Sequence, residues 1–387
     1  MQPDRWFGVG FAAGREPDAG ARAAHEALRG ADAKLLVVFC SPSCDLPAVL
    51  KGILAEAGGV RLIGCTTAGE IATSGPVDAS VVVAGFGGSG FAVDTAVATT
   101  ASADLRAAGA HVARCLPDRP DLPYKAMLIL SDGLAGDQQE LVRGAHGVLG
   151  AAVPLVGGCA GDELRMATTF QMHSDQVLTD AVVAAGIASA APLGIGVRHG
   201  WRRVGQPMLV TSSAGNRVYT LDDRPALDVY LERLGAVQPD RLGAEALARL
   251  ALVHPLGLGR PGGEDQVRFI GGGDPEEGSL SCIAEVPQGA LVWIMEGDAQ
   301  SVLDATDAAC GDSLTALGGR PPIGMMAFDC IARRGVLGEG GIRSEIDRLA
   351  AITPGVPIAG FYTYGEIART RGVRGFHNQT LVVLSVA

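Results

Sequence analysis

Lysine is nearly absent from this chain of 387 residues and occurs only at positions 34, 51 and 125. Arginine supplies the other positive charges, but acidic side chains outnumber basic ones and the formal net charge is −11. Nowhere do more than two Lys or Arg residues stand in succession. Proteins that bind nucleic acid or an anionic membrane surface need basic patches. The sequence therefore predicts neither of these partners.

Paired cysteine motifs and long apolar runs are also missing. None of the eight cysteines lies in a Cys-x-x-Cys, and Cys40 and Cys44 form a Cys-x3-Cys without a matching second pair. No metal site is predicted from this pattern. The longest apolar stretch, residues 181–197, contains Pro192 and three glycines, whereas a membrane span needs about 20 apolar residues. With no signal peptide at the N-terminus, we expect a cytoplasmic protein with reduced thiols and no membrane insertion.

Common catalytic and cofactor motifs are lacking as well. No Gly-Lys-Ser/Thr is present, which excludes a P-loop. Residues 85–90 match Gly-x-Gly-x-x-Gly, but the alternating segment that follows predicts a strand, and the glycines a hairpin turn. Cys330, His377 and Asn378 have the residue types of a nucleophile, base and orienting group. Nothing in the sequence brings them together, so a Cys-dependent enzyme is the least favoured alternative and no catalytic residue is predicted.

What the sequence does contain is apolar mass and glycine. Apolar residues make up 48% of the chain and glycine contributes 55 residues, while aromatics are only 5%. Segments with helix and strand patterns alternate in places, and strands follow one another elsewhere. We predict an α/β (mixed α+β) fold of two related halves, with mixed, largely antiparallel sheets covered by helices. The length favours two domains, perhaps three. The second half opens near residue 205 with a hairpin signal, which divides the chain into 1–204 and 205–387.

Three stretches repeat one another: VRLIGCTTAGEI at 60–71, VPLVGGCAGDEL at 153–164 and VPIAGFYTYGEI at 356–367. Each is an apolar run, a glycine-containing turn and an acid, and a second apolar run follows. The spacings are 93 residues (60 to 153) and 203 residues (153 to 356). Such irregular spacing argues against a solenoid and favours a supersecondary unit used more than once.

The acids of the repeats, Glu70, Asp162 and Glu366, have two interpretations that the sequence leaves open. Either each carboxylate accepts backbone N–H bonds and holds its turn closed, or the turns converge on a cleft. In the second case their N–H groups could hold an anion and their carboxylates a cation. Arg333 could then bind a ligand carboxylate through two parallel hydrogen bonds. A zwitterion such as an amino acid would match that set.

The third repeat and the segment after it (GFYTYGEI at 360–367 and FHNQTL at 376–381) resemble the C-terminal signature of the FIST family. Other stretches are similar to the same family, namely residues 64–70, 157–162, 222–230, 278–282 and 328–333. The similarity extends from about residue 33 to 387. It implies a FIST N-terminal domain in 1–204 (core about 33–204) and a FIST C-terminal domain in 205–387. The family's Cys-x-Gly-Arg-Gly pattern stands here as Cys330-Ile-Ala-Arg333-Arg334-Gly335, with its glycine displaced.

This resemblance implies a bacterial sensory domain of signal transduction rather than an enzyme. It implies a small-molecule ligand and a separate signalling protein as partner, such as a histidine kinase. The alternative that it implies is a haem-binding gas or redox sensor that regulates such a kinase. Tyr362 and Tyr364 are not shared with the first two repeats and are expected to make specific contacts. The expected ligand-binding residues are Cys65, Thr66, Glu70, Cys159, Asp162, Cys330, Arg333, Tyr362, Tyr364, Glu366, His377 and Asn378.

Overall fold

The computed structural model describes residues 4–14, 16–30, 32–235, 244–259, 265–370, 372 and 374–387. Its dominant feature is one unit of strand, helix, strand, helix, strand, hairpin and strand that occurs three times. The first copy comprises β1 (Trp6–Ala13), α1 (Ala19–Ala27), β2 (Ala33–Cys40), α2 (Leu46–Ala57), β3 (Arg61–Thr66), β4 (Glu70–Ala72), β5 (Gly75–Val77) and β6 (Ser80–Gly87).

The second copy follows at once. It comprises β7 (Phe91–Thr99), α3 (Leu105–Val112), β8 (Tyr124–Ser131), α4 (Gln138–Leu149), β9 (Leu155–Cys159), β10 (Gln171–His173), β11 (Gln176–Leu178) and β12 (Ala181–Ser189).

The third copy is interrupted after its first strand, β13 (Leu193–Arg198). The inserted segment comprises β14 (Arg202–Ala214), β15 (Arg217–Leu221), β16 (Arg224–Pro225), α5 (Ala226–Arg233), α6 (Ala244–Val253), β17 (Leu256–Leu258), β18 (Gln266–Arg268), β19 (Ile270–Asp274), β20 (Ser279–Cys282) and β21 (Leu291–Glu296). The copy then resumes with α7 (Ala299–Thr315), β22 (Gly324–Cys330), α8 (Ile331–Ile352), β23 (Ile358–Thr363), β24 (Glu366–Arg369), β25 (Phe376–His377) and β26 (Leu381–Val386).

Acidic side chains begin several of these helices. A carboxylate at the N-cap accepts a hydrogen bond from a backbone N–H group that the helix itself cannot satisfy. This contact occurs at the start of α2, α3, α4 and α7, through Asp45, Asp104, Asp137 and Asp298. Aspartate therefore sets the first turn of four helices.

Glycine lets helices lie close to the edge strands. A Cβ atom on Gly10 of β1 would lie 1.9 Å from the carbonyl oxygen of Ala23 in α1. A Cβ atom on Gly196 of β13 would lie 1.9 Å from the carbonyl oxygen of Ala309 in α7. Both distances are impossible for a real Cβ atom, so part of the high glycine content serves helix–sheet packing.

Within each unit the second strand is parallel to the third and antiparallel to the last. In the first unit β2 pairs with β3 and β6, and β1 adds to the outer edge of β6. The helix pair α1 and α2 covers one face, where Leu36 and Val38 are buried, while Leu35 and Phe39 face the other two sheets. Phe39 stacks on Phe361 of the third unit, with ring centroids 4.8 Å apart. The three sheets thus share one central core.

Each hairpin pairs with the sheet of a neighbouring unit rather than with its own. The β10–β11 hairpin extends β3, the β24–β25 hairpin extends β9, and the β4–β5 hairpin extends β23. The result is three six-stranded sheets, each completed by the next unit, in a closed ring. This exchange covers the edges of β3, β9 and β23, which would otherwise expose unpaired backbone groups.

The inserted segment forms a sheet of its own, in the order β18-β17-β21-β14-β15-β20-β19, with β16 on β15. Its core is separate and includes Tyr230, Leu247 and Ile294. The predicted α/β class, with halves built of mixed sheets under helices, is confirmed. The first half holds two copies of the unit, and the second holds the insertion and most of the third copy. The predicted boundary between 204 and 205 falls inside β14 and stays a prediction.

Among the helices that the structure describes, none is both long and apolar enough to cross a membrane.

Candidate ligand-binding site

Most of the predicted site residues lie at or just beyond the carboxyl ends of the parallel strand pairs β2/β3, β8/β9 and β22/β23. In α/β sheets this is where ligands usually bind. The turns there are joined by three equivalent backbone hydrogen bonds, from Thr66 N to Phe170 O (2.9 Å), from Cys159 N to Gly365 O (2.8 Å) and from Tyr362 N to Gly69 O (2.8 Å). The hairpin exchange therefore brings the turns of all three units together.

Glu70 is completely buried at the start of β4. Its carboxylate accepts hydrogen bonds from the Thr67 hydroxyl, and from the backbone N–H (3.2 Å) and hydroxyl (2.6 Å) of Ser80. Burial raises the pKa of Glu70 to about 7, against the hydrogen bonds from Ser80 and Thr67, which favour the charged form. The carboxyl group fastens the turn to the start of β6.

Glu366 makes the same contacts in the third unit. Its carboxylate accepts hydrogen bonds from the Thr363 hydroxyl, and from the backbone N–H (3.1 Å) and hydroxyl (2.7 Å) of Thr380. Burial raises its pKa to about 7, and the hydroxyls of Thr363 and Thr380 oppose that shift. Both contact sets agree with the interpretation in which the acid holds its turn closed.

Gln171, not Asp162, occupies the corresponding position in the second unit. Its Oε1 accepts a hydrogen bond from Ala181 N (3.1 Å), and its Nε2 donates one to the Thr169 hydroxyl (3.1 Å). The register agrees, because Gln171 pairs with Cys65 of the neighbouring sheet as Glu70 and Glu366 pair with their neighbours. The equivalence drawn from sequence was wrong at this repeat, since a loop of residues 160–170 separates β9 from β10.

Asp162 organises that loop. Its carboxylate accepts three backbone N–H bonds, from Met166 (2.9 Å), Ala167 (2.7 Å) and Thr168 (3.0 Å), and one from the Tyr364 hydroxyl. Burial opposes its charge, but Tyr364 and the backbone donors prevail and lower the pKa of Asp162. The loop is therefore built around an ionised carboxylate.

The loop holds apolar side chains out in solvent in a strained conformation. Glu163, Leu164 and Met166 have φ of 58°, 63° and 51°, a left-handed region that costs roughly 1–2 kcal/mol per non-glycine residue. Leu164 and Met166 are 62% and 57% exposed. Leu164 N also donates to the Tyr364 hydroxyl (2.7 Å). Such strain persists only where neighbouring contacts enforce it, and it is common at functional sites.

Tyr364 connects this loop to the segment after β8. Its ring lies so close to Gly133 that a Cβ atom there would approach the ring carbon Cδ2 to 3.1 Å. The next residue, Leu134, is 36% exposed. We name the surface formed by Leu134, Leu164 and Met166 around the largely buried Tyr364 the carboxyl-end face.

Arg333 lies inside the protein and is fully buried. It donates to Asp329 (2.7 Å) and Glu345, to the Thr306 hydroxyl (3.0 Å) and to the carbonyl of His199 (3.0 Å). Burial opposes its charge, but Asp329 and Glu345 raise its pKa. A ligand carboxylate would have to displace one of these acids, so the expected contact between Arg333 and a ligand stays a prediction.

Tyr362 and Thr66 are buried between units. Arg334 lies over the Tyr362 ring at 5.1 Å from its centroid and forms a two-point ion pair with Asp78 of the first unit (2.7 and 2.8 Å). The Thr66 hydroxyl accepts a hydrogen bond from Phe170 N of the second unit (3.0 Å). Both residues join neighbouring units beneath the surface.

The cysteines of the predicted site are buried thiols. Burial raises the pKa of Cys65, Cys159 and Cys330 well above the usual value, which disfavours the reactive thiolate. His377 is bonded through Nε2 to the carbonyl of Ala368 (2.9 Å), and Asn378 donates to the carbonyl of His377 (3.0 Å). These contacts hold the β24–β25 hairpin and supply no nucleophile–base pair.

A histidine-ligated haem needs an available imidazole nitrogen beside a slot for its macrocycle. His173 and His377 are bonded through Nε2 to a threonine hydroxyl and a backbone carbonyl. His199 is buried, and burial lowers its pKa to about 4. His254 lines a cavity of about 200 Å³, which is too small for a macrocycle. The strand-end histidines do not fit haem here, so that alternative rests on the family resemblance.

The contacts that sequence reasoning missed are the hydroxyl partners of the buried acids. The pattern Thr-x-Gly-Glu, present at 67–70 and at 363–366, was the available signal. The second unit reads Thr-Phe-Gln at 169–171 and lacks both the glycine and the acid. Its equivalence becomes visible only through the hydrogen bonds.

Comparison with known proteins gives a consistent result. The model of the FIST N domain matches residues 34–224, and that of the FIST C domain matches residues 226–369. An uncharacterised protein of Mycobacterium tuberculosis is 27% identical over 375 residues, covering 92% of both chains. Another from Mycobacterium bovis is 28% identical over 229 residues, 58% of each chain. One from Methanocaldococcus jannaschii is 27% identical over 154 residues, 38% of this chain and 30% of that protein.

Proposed function

The chain belongs to the FIST family, and from that premise we propose that it senses a small zwitterion, such as an amino acid, at the carboxyl-end face. Domains of this family serve in sensory signal transduction and bind small ligands, and they are not an enzyme family. A cytoplasmic location and a separate signalling protein that receives the output, such as a histidine kinase, belong to the same proposal.

The observation that carries the proposal is the bond between Tyr364 and Asp162. It holds three left-handed residues in place and keeps Leu164 and Met166 exposed. A loop that keeps apolar side chains in water at the cost of backbone strain is a candidate for ligand contact. An aliphatic ligand group would cover Leu164 and Met166 and remove that exposed apolar surface.

Charged groups suited to a zwitterion lie on the same loop. Arg165 and Glu163 form an ion pair at 2.7 Å, with their side chains 54% and 32% exposed. Exposed pairs of this kind contribute little to stability, about 0–1 kcal/mol. A ligand carboxylate could therefore pair with Arg165 in place of Glu163. The ligand ammonium would then pair with the Glu163 carboxylate. This places the ligand's charges on the surface rather than on the buried Arg333.

Calorimetric titration with the common amino acids tests the proposal. We expect at least one to bind, and Arg165→Gln to weaken its binding about tenfold or more without changing the unfolding temperature of the ligand-free protein. The matched control is Arg119→Gln, because Arg119 and Asp121 form a similar exposed pair two residues apart. If no amino acid binds, or if both variants behave alike, the proposal is wrong.

A further inference from the structure

A cavity opens in the inserted sheet where β14 bulges away from β21. Val204 pairs with Ile294 and Met208 pairs with Val292, so residues 205–207 stand opposite a single residue of β21. Bulges re-aim side chains and are frequent beside binding sites. The cavity measures about 200 Å³, which at about 30 Å³ per water-sized group holds about six or seven non-hydrogen atoms.

The cavity wall is apolar on one side. Val204, Met208, Leu234 and Ile294 line it. Met208 and Ile294 belong to the core of the insertion, whereas Val204 is 41% exposed. The wall therefore runs from the core to solvent and suits a short aliphatic group.

Polar groups enter from the ends of two helices. Arg233 ends α5, and His254 directly follows α6. The hydroxyl of Tyr230, a completely buried residue of α5, donates to the carbonyl of His254 (2.8 Å). This bond fixes the two helix ends against each other, so Arg233 and His254 line the cavity together.

Both side chains have hydrogen-bonding capacity left for a ligand. Among the residues that the structure describes, the carboxylate paired with Arg233 is that of Asp222, at 3.9 Å, which is beyond hydrogen-bond distance. His254 Nδ1 lies 3.3 Å from the carbonyl of Leu250, which can only accept, so Nδ1 carries the proton. In the neutral ring Nε2 is then an acceptor. Glu296, also in the wall, is paired with Arg202 at 3.3 Å.

We propose that this cavity is a second binding site, for a short aliphatic hydroxycarboxylate. Arg233 binds the carboxylate through charge-assisted hydrogen bonds. His254 Nε2 accepts a hydrogen bond from the ligand hydroxyl, and the aliphatic carbons lie on Val204 and Ile294. The site is separate from the carboxyl-end face in position and in ligand chemistry.

Calorimetry with 3-hydroxybutanoate on the full chain tests this site. Butanoate lacks the hydroxyl and butane-1,3-diol lacks the carboxylate, and both should bind at least tenfold more weakly. Arg233→Gln should weaken binding of 3-hydroxybutanoate at least tenfold, with Arg249→Gln, an exposed arginine of α6 paired with Glu245, as the matched control. His254→Gln should weaken binding of 3-hydroxybutanoate but leave the affinity for butanoate unchanged. A merely structural role for His254 would not produce that difference.

Val204→Trp fills the cavity from its exposed side and should abolish binding without unfolding the protein. No heat of binding at millimolar 3-hydroxybutanoate, or equal binding by the Val204→Trp variant, overturns the proposal. Displacement of a bound amino acid by 3-hydroxybutanoate would mean one shared site and would overturn it too. Failure of amino acids to bind would leave this site standing, so the two proposals fail separately.

Discussion

Gln171 and Glu70 occupy the same position in two copies of one structural unit, but only the Glu70 side chain can ionise. Gln171 accepts a hydrogen bond from the backbone N–H of Ala181, the first residue of β12. Glu70 accepts one from the backbone N–H of Ser80, the first residue of β6. Each also contacts the threonine of its own turn. The second unit thus supplies a natural uncharged version of the buried acid.

Glu366→Gln should make stability less dependent on pH. Burial raises the pKa of Glu366 from 4.5 to about 7, so the native state holds a proton there that the unfolded chain has released. The stability that this proton gives the native state is complete below pH 4.5. It is lost as the pH rises to about 7, and the free energy of unfolding falls by about 3 kcal/mol at most. Urea denaturation at pH 5 and pH 8 measures this difference.

The free energies of unfolding of Glu366→Gln and the wild type should agree at pH 5. At pH 8 the variant should be the more stable of the two. Gln171→Glu is the reverse experiment and should destabilise the protein at pH 8 more than at pH 5. A Glu366→Gln variant that is less stable at pH 8 would show that the ionised carboxylate stabilises the turn, contrary to this prediction.

Tyr364→Phe should loosen the loop of residues 160–170 without unfolding the protein. The change removes the hydroxyl that donates to Asp162 and accepts from Leu164 N, at a cost of about 1–3 kcal/mol. Hydrogen exchange at the amides of residues 166–168 should accelerate about tenfold or more. Tyr124→Phe, at the exposed start of β8, is the control and should leave exchange at these amides unchanged. Equal exchange in both variants contradicts the prediction.

Arg333→Met should destabilise the protein by about 3–5 kcal/mol, because it leaves Asp329 and Glu345 buried without a cation. Adding Asp329→Leu and Glu345→Leu should restore much of the loss, since an apolar set of similar volume replaces the ionic one. Denaturant unfolding of the single and triple variants gives the comparison. No recovery in the triple variant would mean that the cluster is needed for more than its charge balance.

Gly365→Ala should be far more harmful than Gly355→Ala. Both glycines have positive φ, 152° and 78°. A Cβ atom on Gly355 meets nothing within 4 Å, whereas one on Gly365 would lie 2.4 Å from the Phe376 ring in the exchanged hairpin. We expect a loss of about 1 kcal/mol for Gly355→Ala and several times more for Gly365→Ala in thermal unfolding. Equal losses would mean that the hairpin accommodates the added methyl.

The sequence predicts the unit of this fold better than its assembly. Apolar runs and turn glycines reveal the three repeats, and the residues after 356 reveal the family. The exchange of hairpins is not predictable in this way, because it pairs residues as distant as Ile71 and Gly360. Register across such separations depends on packing that no local pattern records.

The sequence places the turns of the repeats at the ends of strands, but it does not show which side chains meet there. The strand ends do meet, since parallel strands place their carboxyl ends on one edge. Asp162 was aligned with Glu70 because both follow a glycine, yet a loop insertion gives Asp162 a different structural role. Arg333 looked suited to a ligand because the sequence does not record the buried acids around it.

The closed ring of exchanged hairpins has a consequence for synthesis on the ribosome. The β4–β5 hairpin ends at Val77, and its partner strand begins at Ile358, about 280 residues later. At roughly 5–20 residues per second, the hairpin waits roughly 15 to 60 s for that strand. During this time the nascent first unit has an unsatisfied hairpin and, until the second unit emerges, an open edge at β3. The ring of sheets can therefore close only after β23 (Ile358–Thr363) has been synthesised and has paired with β4.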